Sequence, residues 1–239
     1  MVSIIIPVFN QEQVLTATLL KVNDVMGGMG QAYEIIFIDD GSSDRSFELL
    51  KDIYVKCAYI KVVRLSKNFG QHIALLAGFE LAQGEIVITM DADAKVSPSY
   101  IPELLRKMKE KNDLVVCWRK YRPGISMIRR MGSLLINKYI NFKTGKELHD
   151  HACSLKAYSR NLIDANIGRV EIKHFFGILV VKYANYVDEI QVACNYKKDS
   201  DSSLNFRGLV VLFLNFILRI NKMQHKEPVY FVKDILCPL

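Results

Sequence analysis

Five runs rich in Ile, Val or Phe recur at residues 2–8, 33–38, 60–65, 86–90 and 114–118, with amphipathic stretches between them. Near-continuous apolar runs of strand length suit strands buried on both faces, and connections of this length suit crossover helices rather than hairpins. The expected fold class is therefore α/β, a mostly parallel sheet with helices on both faces. Local signals agree. Asn10 with Gln13 reads as a capping box before Val14, Leu15, Leu19 and Val22. Asp44 can cap a helix carrying Phe47, Leu50 and Tyr54. Residues 71–82 are rich in Ala and Leu, and Pro102 falls in a first helical turn after Ser99.

After residue 120 the rhythm loosens. Ile125–Phe142 reads as helix and 143–151 as a Lys/Gly/His loop; Ala152–Ala157 and Tyr186–Cys194 read as strands. A polar loop at 197–203 precedes an apolar segment at 208–220, and Glu227–Lys233 reads as a docked extended segment or a dimer contact. A chain of 239 residues with 50% apolar content can bury a sizeable core. The expected division is a main domain over 1–205 and a C-terminal helical appendage over 206–239.

The net charge is +7, and its source is local: Arg119, Lys120, Arg122, Arg129, Arg130, Lys138, Lys143 and Lys146 fall in a block without acids. Such a block is a solvated helix face or a surface that attracts phosphate or anionic lipid. The cysteines at 57, 117, 153, 194 and 237 show no Cys-x-x-Cys spacing, which argues against zinc and for thiols in a reducing compartment. The N-terminus opens directly into strand sequence and does not read as a signal peptide. Segment 208–220, flanked by Arg207, Arg219 and Lys222, is too short for a membrane span and reads as an interfacial or packed helix.

The chemistry is concentrated at strand ends. Ile86–Met90 terminates in Asp91-Ala92-Asp93, at the C-terminal edge where open α/β sheets place ligands. Two carboxylates at alternate positions suit Mg²⁺ or Mn²⁺ on diphosphate oxygens. In a parallel sheet three further segments converge there: Pro7-Val-Phe9-Asn10, Asp39-Asp40-Gly41-Ser42-Ser43-Asp44, and Ser66-Lys67-Asn68-Phe69-Gly70-Gln71. An ordinary capped loop accounts for Ser43 and Asp44 but leaves the pair Asp39-Asp40 unexplained; a carboxylate there can accept the N–H of uracil or guanine.

Taken in order, Pro-Val-Phe-Asn, Ile-Asp-Asp-Gly-Ser-Ser-Asp, Leu-Ser-Lys-Asn-Phe-Gly-Gln and Met-Asp-Ala-Asp resemble the inverting family 2 glycosyltransferases of the GT-A fold. Within that family the chain is most similar to the dolichyl- and undecaprenyl-phosphate sugar synthases, and Asp150–Arg160 is similar to the Asp-x-x-x-Gly-Phe-Arg-x-x-x-Arg segment. The resemblance implies a nucleotide-sugar donor, UDP-linked more than GDP-linked, and a polyprenyl-phosphate or lipid-linked glycan acceptor in surface polysaccharide synthesis. It implies that Asp40 contacts the base, with Asp39, Gly41 and Ser42 in its loop. Pro7, Phe9 and Asn10 would frame the nucleoside beside Asn68 and Gly70, with Ala92 between the two acids. Asp91 would approach sugar or ribose, Asp93 with Asp91 would hold the metal, and Asp150 would serve as base. Lys156, Arg119, Arg122, Lys197 and Lys198 would meet acceptor phosphate. It further implies a cytoplasmic protein, peripheral on the inner face of the plasma membrane, with a homodimer as one arrangement; nucleic acid is not an expected partner.

Several positions depart from the pattern. Gln11 stands where the family usually has Glu, and Phe9 where it has Tyr. Ala94-Lys95-Val96-Ser97-Pro98 replaces Leu-Gln-Asp-Pro-Pro, Ser154-Leu155-Lys156 replaces Gly-Phe-Arg, and residues 197–206 lose a basic-glycine segment. Lys95 is not a metal ligand. Either it faces solvent, or the metal binds weakly, or its ammonium partly replaces the metal against the diphosphate. A hydroxyl acceptor needs a general base and a lipid phosphate does not. Two other classes stay open: a catalytically degenerate nucleotide-binding scaffold, and a nucleotidyltransferase, for which the Gly-rich basic loop after the first strand is missing.

Overall fold

A computed structural model describes residues 1–121, 127–194 and 230–237. The segment 208–220, the loop 197–203 with Lys197 and Lys198, and Arg122 lie outside the described residues. The first half alternates as expected: β1 Val2–Val8, α1 Leu15–Gly27, β2 Tyr33–Asp39, α2 Ser46–Lys56, β3 Ile60–Leu65, α3 Gln71–Leu81, β4 Ile86–Thr89, α4 Ile101–Met108 and β5 Leu114–Tyr121. Then come α5 Met127–Thr144, β6 Lys156–Ser159, short helical turns from Arg160 to Tyr183, β7 Val187–Ala193 and β8 Val232–Leu236.

The eight strands form one sheet in the order β7-β5-β6-β4-β1-β2-β3-β8. β1 pairs in parallel with β2 and β4, β2 with β3, and β5 with β7. β6 runs antiparallel between β4 and β5, and β8 antiparallel on β3. Alternate side chains of β1 feed two cores. Ile4 and Ile6 pack with Leu15, Leu19, Phe47 and Leu50 on one face, while Ile5 packs with Ala74, Leu76 and Phe79 of α3 on the other. That period of two on a strand buried throughout explains why β1 reads as almost continuously apolar, broken only by the buried Ser3. α3 lies so close to β1 that a Cβ on Gly78 would come within 2.3 Å of Ile5 Cγ2.

The topology creates one crevice. The chain steps outward from β1 to β2 and β3, then crosses back to place β4 on the other side of β1. Ile5 lies opposite Thr89, so residues 90–93 run out of the sheet beside Pro7–Phe9. Strand order reverses there, at carboxyl ends, which is where open α/β sheets bind ligands.

Some local expectations shift. Asn10 does not cap α1; the residue before the helix is Val14, with no side-chain cap. Pro102 is in the first turn of α4 as expected; that helix has no side-chain cap, and Ser97 caps the 3₁₀ turn before it. The strand expected at 152–157 begins at Lys156, because 150–154 form a turn against β5.

Candidate active site

The crevice is a cleft of about 300 Å³ lined by Pro7, Val8, Phe9, Gln11, Asp40, Asn68, Gly70, Gln71, Asp91, Ala92, Asp93 and Lys95. All four segments singled out in the sequence contribute to it. Asp40 accepts from the backbone N–H groups of Phe69 and Gly70, at 2.7 and 2.8 Å, and so ties the β2 loop to the start of α3. Burial raises its pKa, against those two bonds.

Asn10, Asp39, Gly41 and Ser42 do not line the cleft; they shape it. Asn10 adopts a left-handed φ of 52°, which asparagine tolerates. Its N–H donates to Ser42 Oγ at 3.0 Å, and its Oδ1 accepts from Ser43 N at 2.9 Å. Asp39 is fully buried, accepts from Ser42 N, and lies 3.2 Å from Arg64 Nε. Gly41 has φ +71°, and a Cβ there would reach 2.5 Å from the Lys67 backbone. Only glycine fits, because two loops touch at that point.

Asp91 and Asp93 leave β4 through a tight turn. Ala94 N donates to Asp91 O at 3.1 Å, and Ala94 itself takes a φ of 47°, unusual for a residue with a Cβ. This kink turns Lys95 back toward the cleft. Its Nζ lies 2.6 Å from Asp93 Oδ2 and its N–H donates to Asp93 Oδ1 at 3.3 Å. Asp91 Oδ1 accepts from Gln71 Nε2 at 2.7 Å. Burial raises the Asp91 pKa, bonds to Ser154 and Gln71 oppose this, and the Asp93 charge adds to it.

A divalent ion needs carboxylate oxygens facing it without a competing cation. Both oxygens of Asp93 are engaged by Lys95, one by its ammonium and one by its backbone N–H. As it stands this donor set does not fit the expected Mg²⁺ or Mn²⁺; it is matched to an ammonium.

A second cavity of about 270 Å³ adjoins the first. Gln71 and Asp91 line both; the rest of its wall includes His72, Leu75, Ile136, Ile140, Cys153, Tyr158 and Ile178. This second space was not foreseen, because its wall comes from α3, β6, α5 and the turns after β6, which only the folded chain brings together.

Three residues expected to act on the acceptor have other parts. Asp150 is fully buried and gripped by Arg119, whose Nε and Nη2 lie 2.7 and 3.0 Å from its two oxygens. A carboxylate held in a bidentate guanidinium fork is a poor proton acceptor, so the geometry favours an ion pair over the general-base role expected of Asp150. The same pair engages the Arg119 guanidinium that was expected on phosphate. Lys156 borders the second cavity, but its ammonium donates to the carbonyls of His151 and Gly177 at 2.8 and 3.0 Å. Burial pushes its pKa down to about 8.

The histidines divide similarly. His149 stacks on Trp118 with centroids 4.1 Å apart, and His72 packs on Phe175. His151 Nε2 lies 2.5 Å from Asn141 Oδ1, which assigns the proton to Nε2. Burial pushes its pKa down to about 3, with Lys156 adding to the effect and Asp150 opposing it. In the unfolded chain a histidine titrates near ~6.5, so the stability contributed by neutral His151 is complete above that pH and is lost as pH falls toward 3. Between pH 7 and pH 5 the loss is about 2 kcal/mol. Melting curves should show a steeper acid fall for the native chain than for His151→Gln; equal slopes would contradict the assignment.

With the geometry in view, comparison with known proteins decides the family. Residues 3–166 match the family described as glycosyl transferase family 2. The chain belongs to that family. An undecaprenyl-phosphate 4-deoxy-4-formamido-L-arabinose transferase from Aeromonas hydrophila is 37% identical over 218 residues, covering 91% of this chain and 67% of that protein. The protein of the same description from Pseudomonas paraeruginosa is 36% identical, covering 91% and 64%. The chain thus spans about two thirds of the length of these relatives. Mannosyl-3-phosphoglycerate synthase from Rubrobacter xylanophilus superposes with a TM-score of 0.62 at 15% identity, over 95% of this chain and 77% of that one. S. aureus TarS 1–349 in complex with UDP-GlcNAc gives 0.57 at 18% identity, over 95% and 68%. The family 2 domain therefore has the GT-A fold, and the expected fold class and transferase class hold.

Proposed function

We propose that this family 2 chain transfers a sugar from a nucleoside-diphosphate sugar, UDP- or GDP-linked, to a polyprenyl phosphate, with inversion at the anomeric carbon. The observation that carries the reading is that Asp91 and Gln71 line both cavities, so a donor in the polar cleft and an acceptor in the more apolar one meet at the end of β4. In a single displacement an acceptor phosphate oxygen attacks the anomeric carbon. The bond from that carbon to the diphosphate breaks, and the electron pair leaves with the nucleoside diphosphate. Asp91, oriented by Gln71, positions the sugar at the junction.

A phosphate acceptor is favoured over a hydroxyl by the state of Asp150. The carboxylate that would serve as base is locked to Arg119. A phosphomonoester is largely ionised at neutral pH and needs no base. The relatives' description as undecaprenyl-phosphate transferases supports the same choice.

The surface of α5 supports membrane contact. Ile136 and Ile140 face the second cavity, whereas Met131, Leu134, Leu135 and Phe142 are exposed, Phe142 at 84%. Arg130, Lys138 and Lys143 accompany them, and the helix contains no acid. An exposed apolar stripe with basic flanks suits an anionic bilayer surface. Among the described residues no helix is long and apolar enough to cross a membrane. A lipid acceptor would then reach the second cavity along the helix that rests on the bilayer.

The direct test is thermal stability of the chain with UDP, GDP, CDP and dTDP, since a ligand that binds only the native state raises the midpoint. A rise with one nucleotide supports the donor reading and names the base. No rise with any of them contradicts it.

A further inference from the structure

The geometry points to Lys95 as the cation of the donor site: its ammonium, set against Asp93, meets the diphosphate of the nucleotide-sugar in place of a divalent metal. The inference rests on the donor reading above and adds how that donor's charge is neutralised.

Three observations carry it. The Lys95 ammonium lies 2.6 Å from Asp93 Oδ2, and Lys95 is part of the wall of the cleft that Asp40, Asn68 and Gly70 complete. Its direction is built in, because Ala94 at φ 47° and the Ala94–Asp91 turn bond fold the chain back so that position 95 faces the two acids rather than continuing outward. The side chain keeps 46% of its exposure, so it presents charge to the cleft while Asp93 anchors it. An ammonium is a compact point charge with three donors, able to bridge a carboxylate and a phosphate oxygen at once. The leaving nucleoside diphosphate develops negative charge, and a fixed cation beside it stabilises that charge. A divalent ion in the same place would sit against the ammonium and be repelled.

Gln is the residue that the resembling family often has at this position, so Lys95→Gln exchanges the ammonium for a neutral group of similar reach. The test is calorimetric binding of UDP and GDP to the full chain, in EDTA and in Mn²⁺. The native chain is expected to bind its preferred nucleotide with affinities in the two conditions within about threefold of each other. Lys95→Gln is expected to bind about tenfold more weakly in EDTA, the loss of one charge-assisted contact, and to regain affinity in Mn²⁺ once Asp91 and Asp93 face an ion. Native binding that disappears in EDTA and returns with Mn²⁺ overturns the inference and leaves the donor reading intact. An unchanged affinity of Lys95→Gln in EDTA also overturns it. Absence of UDP and GDP binding in both conditions overturns the inference together with the donor reading. Circular dichroism of the variant, expected to match the native chain because position 95 is exposed, separates lost contacts from lost folding.

Discussion

Asp91→Asn is expected to lower sugar transfer by about a hundredfold or more, with the melting midpoint nearly unchanged. Among the described residues the two cavities share only Asp91 and Gln71, so under the proposed function Asp91 would fix where the anomeric carbon stands relative to the incoming phosphate. Asparagine keeps the shape and removes the charge, and its amide faces the Gln71 Nε2 donor with either oxygen or a second donor. A misplaced reacting centre loses the advantage of a pre-aligned encounter, which is why a small change here costs a large factor. Asp91 is partly exposed and carries no strand pairing, so the fold has little to lose. Steady-state kinetics should show the loss in kcat, with nucleotide affinity from calorimetry within a few-fold of native. A variant with native kcat would remove Asp91 from the reacting centre.

Arg119→Met is expected to destabilise the chain by about 3–5 kcal/mol, because it leaves the fully buried Asp150 without its guanidinium. For a domain of this size that corresponds to a fall of roughly 10 °C in Tm. The double variant Arg119→Met/Asp150→Leu should recover much of the loss, since no charge is then left buried. Thermal melts of the two single variants and the double variant read this directly. If Asp150 were a catalytic base, Asp150→Asn would instead lose activity while keeping its native midpoint. The ion-pair assignment expects the midpoint to fall.

The sheet was readable where burial leaves a continuous apolar signature. The strands at 2–8, 33–38 and 60–65 coincide with β1, β2 and β3 to within a residue, because apolar residues dominate each run and the few polar ones, Ser3, Glu34, Lys61 and Arg64, leave the pattern readable. β8 was harder. Val232–Leu236 carries Lys233 and Asp234, and its antiparallel pairing with β3 joins residues far apart in the chain, which no local pattern encodes. The cleft was legible for a different reason: parallel strands put their C-terminal loops at one edge, so topology gathered the four segments, and the resemblance picked out Pro7, Phe9, Asp40, Asn68, Gly70, Asp91, Ala92 and Asp93 within them. Asp39, Asn10, Gly41 and Ser42 were placed in the right loops, but that they brace those loops against one another was not legible. Whether a loop side chain faces a ligand or its neighbouring loop depends on backbone angles such as the left-handed Asn10. The ion pair of Asp150 was not legible because its partner, Arg119, lies 31 residues away on β5. The direction of Lys95 follows from the left-handed Ala94, a conformation that alanine's own preferences argue against.

The central claim, that donor and lipid-phosphate acceptor meet at Asp91, is tested most directly by acceptor-dependent release of nucleoside diphosphate. The full chain would be given a panel of UDP- and GDP-sugars, with undecaprenyl phosphate in anionic vesicles or with hydroxyl-bearing glycans in its place. The account predicts release that requires undecaprenyl phosphate, with labelled sugar recovered in the lipid phase and release lowered about a hundredfold or more in Asp91→Asn. Release driven by glycan hydroxyls and indifferent to the lipid phosphate would contradict it.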